Sequence, residues 1–301
     1  MATGMGKSDG VLCQRSVAKA RLINRRERRT SVLRGEKMKQ GGQMEKQQNE
    51  EANVLAAQRG HRTIRRFTHE PVAPSQVAQI REVADRTATA LGLQMASVIR
   101  VTDDALRNTF GEVTGQPYVA EAPELWVFLA DVHRNATIVE KETGQKPTMG
   151  MGKFLSAYAD ALLMAQNVMN AVEALHLGGA FIGSIANDLM RIREALHLPI
   201  GTYPAIAVIF GHPEETPQQK PRMPKTMRFF ENTYPVENPD EAALAHYDTE
   251  MQTYTDLRHP EHPISPFTQQ VIRSFSGTAD GRDALLLFLS QAGFSVSAAD
   301  E

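Results

Sequence analysis

The sequence predicts one α+β domain in which helices cover both faces of a β-sheet. Residues 125–130 and 205–210 are continuously apolar, which indicates strands that are buried on both faces. Residues 154–177 predict a helix with apolar side chains on nearly every side, so we expect it to be buried on most sides. No linker interrupts residues 44–301, and we expect this whole stretch to form the domain.

The other elements follow from local patterns along the chain. Pro74 suits the first turn of a helix, and Val77, Ile80 and Ala84 then fall on one helical face. Residues 95–101 predict a further strand. More helices are expected at 49–58, after a cap at Thr102 or Asp103, and at 136–141, 188–196, 241–257, 267–275 and 282–292.

The end of the long helix is the first feature that points to a ligand. We expect the helix to stop at Gly178-Gly179, because helices commonly end at a residue that tolerates positive φ. The small-residue run that follows, Ala180-Phe181-Ile182-Gly183-Ser184, would let main chain approach a ligand closely. A core helix with an ordinary glycine cap is the simpler interpretation. Polar residues interrupt the helix too often for a membrane span.

Charge is distributed unevenly along the 301 residues. The formal net charge is −2, but residues 1–43 hold 11 basic and 3 acidic residues, which leaves 22 basic and 32 acidic residues in 44–301. The acidic balance of 44–301 argues against nucleic-acid binding. We expect residues 1–43 to be a disordered basic extension without a function of its own. A nucleic-acid-binding arm and an Arg-rich targeting peptide are the alternatives.

Several kinds of site lack the residues that they need. Cys13 is the only cysteine, so the chain offers no internal disulfide and no thiolate metal cage, which fits a cytoplasmic protein. No apolar signal region opens the sequence. The sequence contains no complete phosphate loop, no Gly-x-Gly-x-x-Gly after a strand and no Gly-x-Ser-x-Gly elbow. His259 and His262 flank Pro260-Glu261 without further ligands, so no metal is expected.

Cationic residues cluster at two places. His61, Arg62, Arg65 and Arg66 lie within six residues without an acid among them, so they repel one another unless an anion or distant carboxylates compensate. Lys220-Pro221-Arg222 holds two cations whose side chains point the same way on an extended backbone. Each cluster alone could be a solvated face or form structural ion pairs. Taken with the glycine run, they predict a phosphorylated cofactor held inside.

These segments, in their order and spacing, resemble the FMN-dependent nitroreductase family, specifically its oxygen-insensitive NADPH nitroreductase and flavin reductase branch. The resemblance covers about residues 55–294. The motifs that carry it are Gly60-His61-Arg62-Thr63-Ile64-Arg65, Leu93-Gln94 through Val98-Ile99-Arg100, Gly115-Gln116, Trp126-Val127-Phe128 with Ala130-Asp131, Met164-Ala165-Gln166-Asn167, Leu177-Gly178-Gly179 with Ile182-Gly183, and Lys220-Pro221-Arg222.

The resemblance implies a nitroreductase-like mixed sheet sandwiched by helices, in a homodimer whose core contains the long helix and whose subunit interface holds two FMN sites. Thr89 is the best remaining hydroxyl where relatives carry a serine-rich run, and Ser184 stands where relatives often have a second glycine. The residues that match the family's FMN-binding positions are His61, Arg62, Thr63, Arg65, Thr89, Gln116, Gly183, Ser184, Lys220 and Arg222. Arg258 and Arg282 match arginines linked with NADPH, although both could equally be surface arginines.

The resemblance also implies an activity. NADPH would pass hydride to FMN and leave, and a small electron acceptor such as a nitroaromatic, a quinone or a free flavin would then take two electrons in a ping-pong mechanism. No protein nucleophile is needed, in agreement with the absence of one from the sequence. The alternatives are a dedicated flavin reductase, a protein that carries flavin without turnover, and an interaction module that acts through the basic tail.

Overall fold

A computed structural model of the chain describes residues 54–235, 240–276 and 285–296. The expected boundary between residues 43 and 44 lies outside those ranges, as does Arg282. Residues 57–301 form one compact unit, and the fold below is that of this unit. The expected helix at 49–58 falls partly outside the described residues, and residues 54–59 are helical.

The described elements alternate between helices and strands of one sheet. The strands are β1 Ala96–Arg100, β2 Glu124–Asp131, β3 Gly178–Ile182 and β4 Thr202–Gly211. The α-helices are α1 Pro74–Asp85, α2 Asp104–Thr114, α3 Pro117–Glu121, α4 His133–Thr143, α5 Met151–Ala174, α6 Leu189–Ala195, α7 Glu241–Met251, α8 Phe267–Phe275 and α9 Leu285–Gln291. Short 3-10 helices lie at Ala90–Gly92, Gly183–Asp188 and Lys225–Met227.

The four strands form a sheet in the order β1-β2-β4-β3, and each neighbouring pair is antiparallel. The α+β class is therefore confirmed. The mixed sheet that the resemblance implied is largely antiparallel in the described residues, where parallel pairing is limited to isolated bridges at Thr63–Gly179 and Gly150–Ser295. The first bridge attaches a loop to the edge strand β3, and the second joins two loops outside the sheet.

Alternation along β2 explains why its sequence is continuously apolar. Trp126 and Phe128 pack into a core with α1 and α5 on one face of the sheet. Leu125 and Val127 pack with α2 and α6 on the other face. All eight residues of β2 are buried, as expected for a strand covered by helices on both sides. The predicted helix–sheet–helix arrangement is confirmed by this packing.

Helix α5 is buried along one side and exposed along the other within this chain. Ala157, Ala161, Ala165, Val168 and Val172 are buried against the sheet. On the opposite side, two large apolar side chains are exposed: Leu155 at 60% and Leu163 at 54%. The sequence predicted burial on most sides, so in a single chain this prediction holds for one face only.

The long helix ends earlier than expected, and Gly178-Gly179 has a different role. Helix α5 stops at Ala174, and His176 has the positive φ of 59° that was assigned to the glycines. The backbone N–H of Leu177 donates to Val172 O at 3.0 Å and closes the helix end. The two glycines instead begin the edge strand β3, so the small-residue run is a strand that ends at Ile182, directly before Gly183.

Close packing explains why β3 begins with two glycines. A Cβ at Gly178 would lie 2.5 Å from the side chain of Ile64, and a Cβ at Gly179 would lie 2.8 Å from the backbone oxygen of Ile209. Ile64 in turn donates its backbone N–H to Gly179 O at 2.9 Å. The glycines therefore let the first basic segment of the chain dock on the edge of the sheet.

Replacing Gly179 by alanine is expected to lower the free energy of unfolding by about 1–3 kcal/mol, because the new methyl group meets strand backbone that cannot give way. Urea denaturation of both proteins measures the difference. Gly152→Ala is the matched control, since a Cβ there meets nothing within 4 Å and alanine favours helix α5. Equal loss of stability in both variants would contradict the steric explanation.

The remaining predicted helices agree with the structure except at one end, and the first three residues of the expected helix at 282–292 lie outside the described residues. The expected helix at 241–257 stops at Met251, because the backbone N–H groups of Thr253 and Tyr254 donate to Glu250 O and Met251 O in tight turns. Asp103, one of the two expected caps, accepts from the backbone N–H of Leu106 at 2.9 Å. Within the described ranges, no helix combines the length and the apolar character that a membrane crossing requires.

Candidate functional site

The first basic segment runs beside the acidic stretch that leads into the second one. Residues 59–67 pass the edge of β3, where Thr63 bridges Gly179, and residues 213–219, which include Glu214 and Glu215, return antiparallel to them after β4. An antiparallel bridge joins the two segments at one end, and the side-chain amide of Gln219 donates to Arg59 O at the other. Residues 213–219 lead directly into Lys220, so the pairs that meet here lie between 146 and 160 positions apart along the chain.

Carboxylates from residues 213–219 hold the first basic segment. Glu215 Oε1 accepts the backbone N–H groups of Arg65 at 2.7 Å and Arg66 at 3.2 Å. Glu214 lies 3.6 Å from the guanidinium of Arg66. These are the distant carboxylates that the sequence left open as an alternative to a bound anion, and they relieve part of the repulsion within the cluster.

His61 is held by the long helix. Its Nδ1 lies 2.5 Å from Glu173 Oε1, and Glu173 stands one residue before the end of α5. This contact fixes the orientation of the imidazole ring and leaves Nε2 without a hydrogen-bond partner among the described residues. Arg62, the next residue, is exposed, and its Nη1 donates to Gly60 O at 3.3 Å.

A cleft of ≈ 400 Å³ lies beside the paired segments. Four of the predicted site residues line it, namely Thr63, Arg65, Gln116 and Arg258. Its other walls are supplied by Arg66, Gly115, Pro117, Tyr118, Glu215, Pro217, Tyr254, Leu257 and His259. The cleft thus combines cations with aromatic rings.

Gln116 and Ser184 form a hydrogen-bonded pair next to this cleft. Gln116 is the residue before α3, and its Nε2 donates to Ser184 Oγ at 3.0 Å. The hydroxyl of Tyr118 donates to Gln116 Oε1. Gly183, at the end of β3, is exposed, and a Cβ there would meet nothing within 4 Å. The main chain at Gly183 is therefore open to a ligand.

Lys220 and Arg222 do not point at one target in this chain, although the sequence predicted that they would. The ammonium group of Lys220 lies 5.8 Å from the ring centre of Tyr254, a wall of the cleft. The guanidinium of Arg222 folds back, with Nη1 donating to Lys220 O at 3.1 Å and Pro221 O at 3.4 Å. Both side chains are exposed, so each can still turn toward a ligand.

Arg258 is bound by a neighbouring acid. Its Nε lies 3.1 Å from both carboxylate oxygens of Asp256, and its Nη2 lies 2.5 Å from Oδ2. Hydrogen bonding to Arg258 is the main cause that lowers the pKa of Asp256 to about 2, and the charge of Arg65 contributes in the same direction. The same contact raises the pKa of Arg258 above its ordinary value.

Thr89 lies apart from this cleft within the chain. It precedes the 3-10 helix Ala90–Gly92, and its side chain makes no capping hydrogen bond there. The loop that contains it is tied to α5, where Asp160 accepts the backbone N–H groups of Ala90 at 2.8 Å and Met95 at 3.0 Å. The remaining predicted site residue, Arg282, lies outside the described residues.

Sequence reasoning missed the partners that organise the site. Glu173, Glu215 and Asp256 hold predicted cations or their backbone, and Tyr118 and Tyr254 line the cleft. One of these partners had a local signal in the sequence: Glu215, with Glu214, lies between the strand at 205–210 and the cations at Lys220 and Arg222. No pattern around Glu173 distinguishes it from any other polar residue of α5.

Two family models match the chain. One, described as the nitroreductase family, matches residues 58–212, and the other, described as the nitroreductase family C-terminal domain, matches residues 220–297. The described cleft has walls in both matched ranges.

Named relatives are similar over most of their length. An oxygen-insensitive NADPH nitroreductase of Salmonella typhimurium is 35% identical over 241 residues, which are 78% of this chain and 95% of the relative. An NADPH-flavin oxidoreductase of Vibrio harveyi is 32% identical over 247 residues, covering 81% of this chain and 98% of the relative. Among solved structures, an NADPH:FMN oxidoreductase from Vibrio harveyi complexed with NAD+ superposes with a TM-score of 0.73 at 30% identity, covering 81% of this chain and 100% of that one.

Proposed function

The chain belongs to the nitroreductase family, and from this membership we propose that it is an NADPH-dependent flavin oxidoreductase that reduces nitroaromatics, quinones or related small electron acceptors. When bound, FMN supplies the redox chemistry by accepting hydride from NADPH and returning two electrons to the acceptor. The observation that carries the proposal is the antiparallel pairing of residues 59–67 with 213–219 beside the open end of β3.

The residues present fit an FMN group. Cations in residues 59–67, together with Lys220 and Arg222, can neutralise a phosphate tail, since arginine and lysine donate charge-assisted hydrogen bonds. The open main chain at Gly183 can approach a planar ring, which a side chain there would obstruct. We assign the phosphate side to His61, Arg62, Arg65, Lys220 and Arg222, and the ring side to Thr63, Thr89, Gln116, Gly183 and Ser184.

The chain's own groups would bind and orient rather than react. The amide of Gln116 is oriented by Ser184 and Tyr118, so it can present one defined hydrogen-bonding edge to a ring in the cleft. The phenol rings of Tyr118 and Tyr254 form part of the cleft wall and offer apolar surface to a bound ring. Cations near a ring also stabilise negative charge that develops on it.

We further propose a homodimer with α5 at its centre. The exposed apolar side of α5, with Leu155 and Leu163, would be buried by a second copy of the chain. Thr89 does not line the cleft of its own chain. In the homodimer it would contact FMN only if the second copy places its own cleft next to Thr89. A cytoplasmic location also stays a prediction, and it is supported by the single cysteine of the sequence.

The visible spectrum of the purified protein tests the function. We expect flavin absorbance in the isolated protein and its loss when NADPH is added without oxygen, followed by recovery on addition of a nitroaromatic or a quinone. NADP+ in place of NADPH is the control and should leave the spectrum unchanged. A flavin-containing protein that stays oxidised would instead be a carrier, and a protein that cannot be loaded with FMN would overturn the proposal.

A dedicated flavin reductase is the second candidate, and the 32% identity to an NADPH-flavin oxidoreductase favours it specifically. The two candidates differ only in the acceptor that the reduced protein prefers. Steady-state kcat/KM values for nitrofurazone, menadione and free FMN decide between them. A kcat/KM for free FMN well above the other two values would support the flavin reductase.

A further inference from the structure

Arg258 lines the candidate cleft, and one side of its guanidinium is already hydrogen-bonded. Its Nε and Nη2 face the carboxylate of Asp256, and its side chain is 46% exposed. No described residue accepts a hydrogen bond from Nη1, which is left for a ligand. Tyr118 and Tyr254 lie close enough to influence the charge of Arg258, so its guanidinium lies among the walls of the cleft.

Asp256 is built into this position by its own backbone contacts. Its Oδ1 accepts the backbone N–H of Arg258 at 3.0 Å, and its carbonyl accepts the N–H of His259 at 3.0 Å. The preceding residue, Thr255, donates its N–H to Gln218 Oε1 at 2.9 Å and so attaches the loop to residues 213–219. With only 15% of its side chain exposed, Asp256 cannot swing away into solvent without breaking this turn.

We infer that Asp256 is a specificity-determining residue that weakens the preference for a phosphorylated nucleotide donor over its unphosphorylated counterpart. The inference rests on the proposed function, in which NADPH is the donor. NADPH differs from NADH by one phosphate monoester, which carries close to two negative charges at neutral pH. An anion at Nη1 lies roughly 6 Å from the Asp256 carboxylate across the width of the guanidinium fork. Arg258 and Asp256 therefore present a near-neutral pair to that phosphate, instead of a free cation.

The low pKa of Asp256, about 2, means that this carboxylate is ionised throughout the range in which a dehydrogenase is assayed. Arg65, also near Asp256, is partly neutralised by the same charge. The acids nearest the first basic segment are already committed: Glu215, in the cleft wall, accepts two backbone N–H groups, and the neighbouring Glu214 faces Arg66. Asp256 is thus the acid whose removal changes the charge offered to a ligand at Arg258.

Asp256→Asn separates charge from structure. An asparagine keeps the side-chain oxygen that accepts the N–H of Arg258, so the turn is retained, while the negative charge is lost. The Arg258 guanidinium becomes more mobile in this variant, which opposes tighter binding, although the asparagine oxygen still restrains it. The variant also removes the repulsion between the Asp256 carboxylate and the doubly charged phosphate of NADPH. We expect the KM for NADPH to fall about fivefold, because a single charge interaction at a half-exposed site is screened by solvent. The KM for NADH should stay within about twofold of the wild-type value.

The test uses the purified full-length holoprotein and two readouts. Steady-state kinetics give KM and kcat for NADPH and NADH in the wild type, D256N and the control E261Q, which removes an exposed charge from the same loop without touching Arg258. Calorimetric titration with adenosine 2′,5′-bisphosphate, compared with adenosine 5′-monophosphate, measures phosphate recognition without turnover. Tighter binding of the bisphosphate by D256N alone is the expected result.

The outcomes separate this inference from the proposed function. Equal changes for NADPH and NADH in D256N would mean that Asp256 only shapes the loop, and a weaker bisphosphate complex would mean that it orients Arg258 for the phosphate; either result overturns the inference. A wild-type protein that NADPH does not reduce overturns the proposed function instead. In that case the titration still shows whether Asp256 opposes a phosphate at Arg258.

Discussion

Arg222→Ala is expected to weaken FMN binding by about 10- to 100-fold, the range that follows from losing one hydrogen-bonded ion contact of about 1.5–3 kcal/mol. In the structure the Arg222 guanidinium donates only to backbone oxygens of Lys220 and Pro221, at 3.1 and 3.4 Å. Those oxygens lie on an exposed stretch and can be taken over by water, so the guanidinium can be redirected to a phosphate at little loss. Fluorescence titration of the apoprotein with FMN measures the change.

Lys225→Ala is the matched control for this substitution. It removes the same charge from an exposed position three residues further along the segment, in the short 3-10 helix. A long-range effect of net charge would weaken FMN binding equally in both variants. Gel filtration should give the same elution volume for all three proteins, because the described hydrogen bonds of Arg222 go to its own segment, at Lys220 O and Pro221 O. An Arg222→Ala protein that retains FMN like the wild type would remove this arginine from the proposed site.

The strands and most helices were predictable because their apolar patterns are local. The continuous run at 125–130 extends by one residue at each end to become β2, whose flanking Glu124 and Asp131 are buried with partners. Glu124 accepts from the guanidinium of Arg100 on the paired strand and from Trp126 Nε1 at 2.9 Å. A buried glutamate of this kind depends on its neighbours across the sheet, which a local pattern does not reveal.

The predicted boundary between the long helix and the segment after it was wrong for a related reason. Gly178-Gly179 looked like a helix cap because glycine tolerates positive φ, yet His176 adopts that conformation. The glycines are required by Ile64 and Ile209, which lie at least 30 residues from them along the chain and close to them in space. Steric needs set by distant residues are invisible in a window of ten residues.

The cations of the candidate site could be predicted, but their surroundings could not. The cluster around His61 is evident in the sequence. Its partner Glu173 lies 112 residues further along the chain, on helix α5, which the sequence predicted from its apolar residues. The sequence also predicted that Lys220 and Arg222 would aim at one target. In the structure Lys220 lies over Tyr254, and Arg222 lies over its own backbone. Local spacing fixes which charges are near one another, and the direction of each side chain depends on what it contacts.

Asp160→Ala is expected to lower the free energy of unfolding by about 2–4 kcal/mol, because it leaves two backbone N–H groups without their acceptor. The Asp160 side chain is 1% exposed and accepts from Ala90 and Met95, at the two ends of one loop. That loop holds Leu91 and Gln94 at φ values of 54° and 52°, a conformation that disfavours residues with a side chain. The two hydrogen bonds to Asp160 hold the loop in this strained shape.

Asp160→Asn distinguishes the hydrogen bonds from simple packing. An asparagine has nearly the same volume but only one acceptor oxygen, and its NH2 group would face a backbone N–H, so we expect an intermediate loss of stability. Urea denaturation gives the three free energies, and amide exchange at Ala90 and Met95 shows whether the loop opens first. Since Thr89 adjoins this loop, FMN binding should weaken in parallel if Thr89 contacts the cofactor in the assembled protein. An alanine variant as stable as the wild type would mean that water replaces both contacts and that the strain at Leu91 and Gln94 is held by other groups.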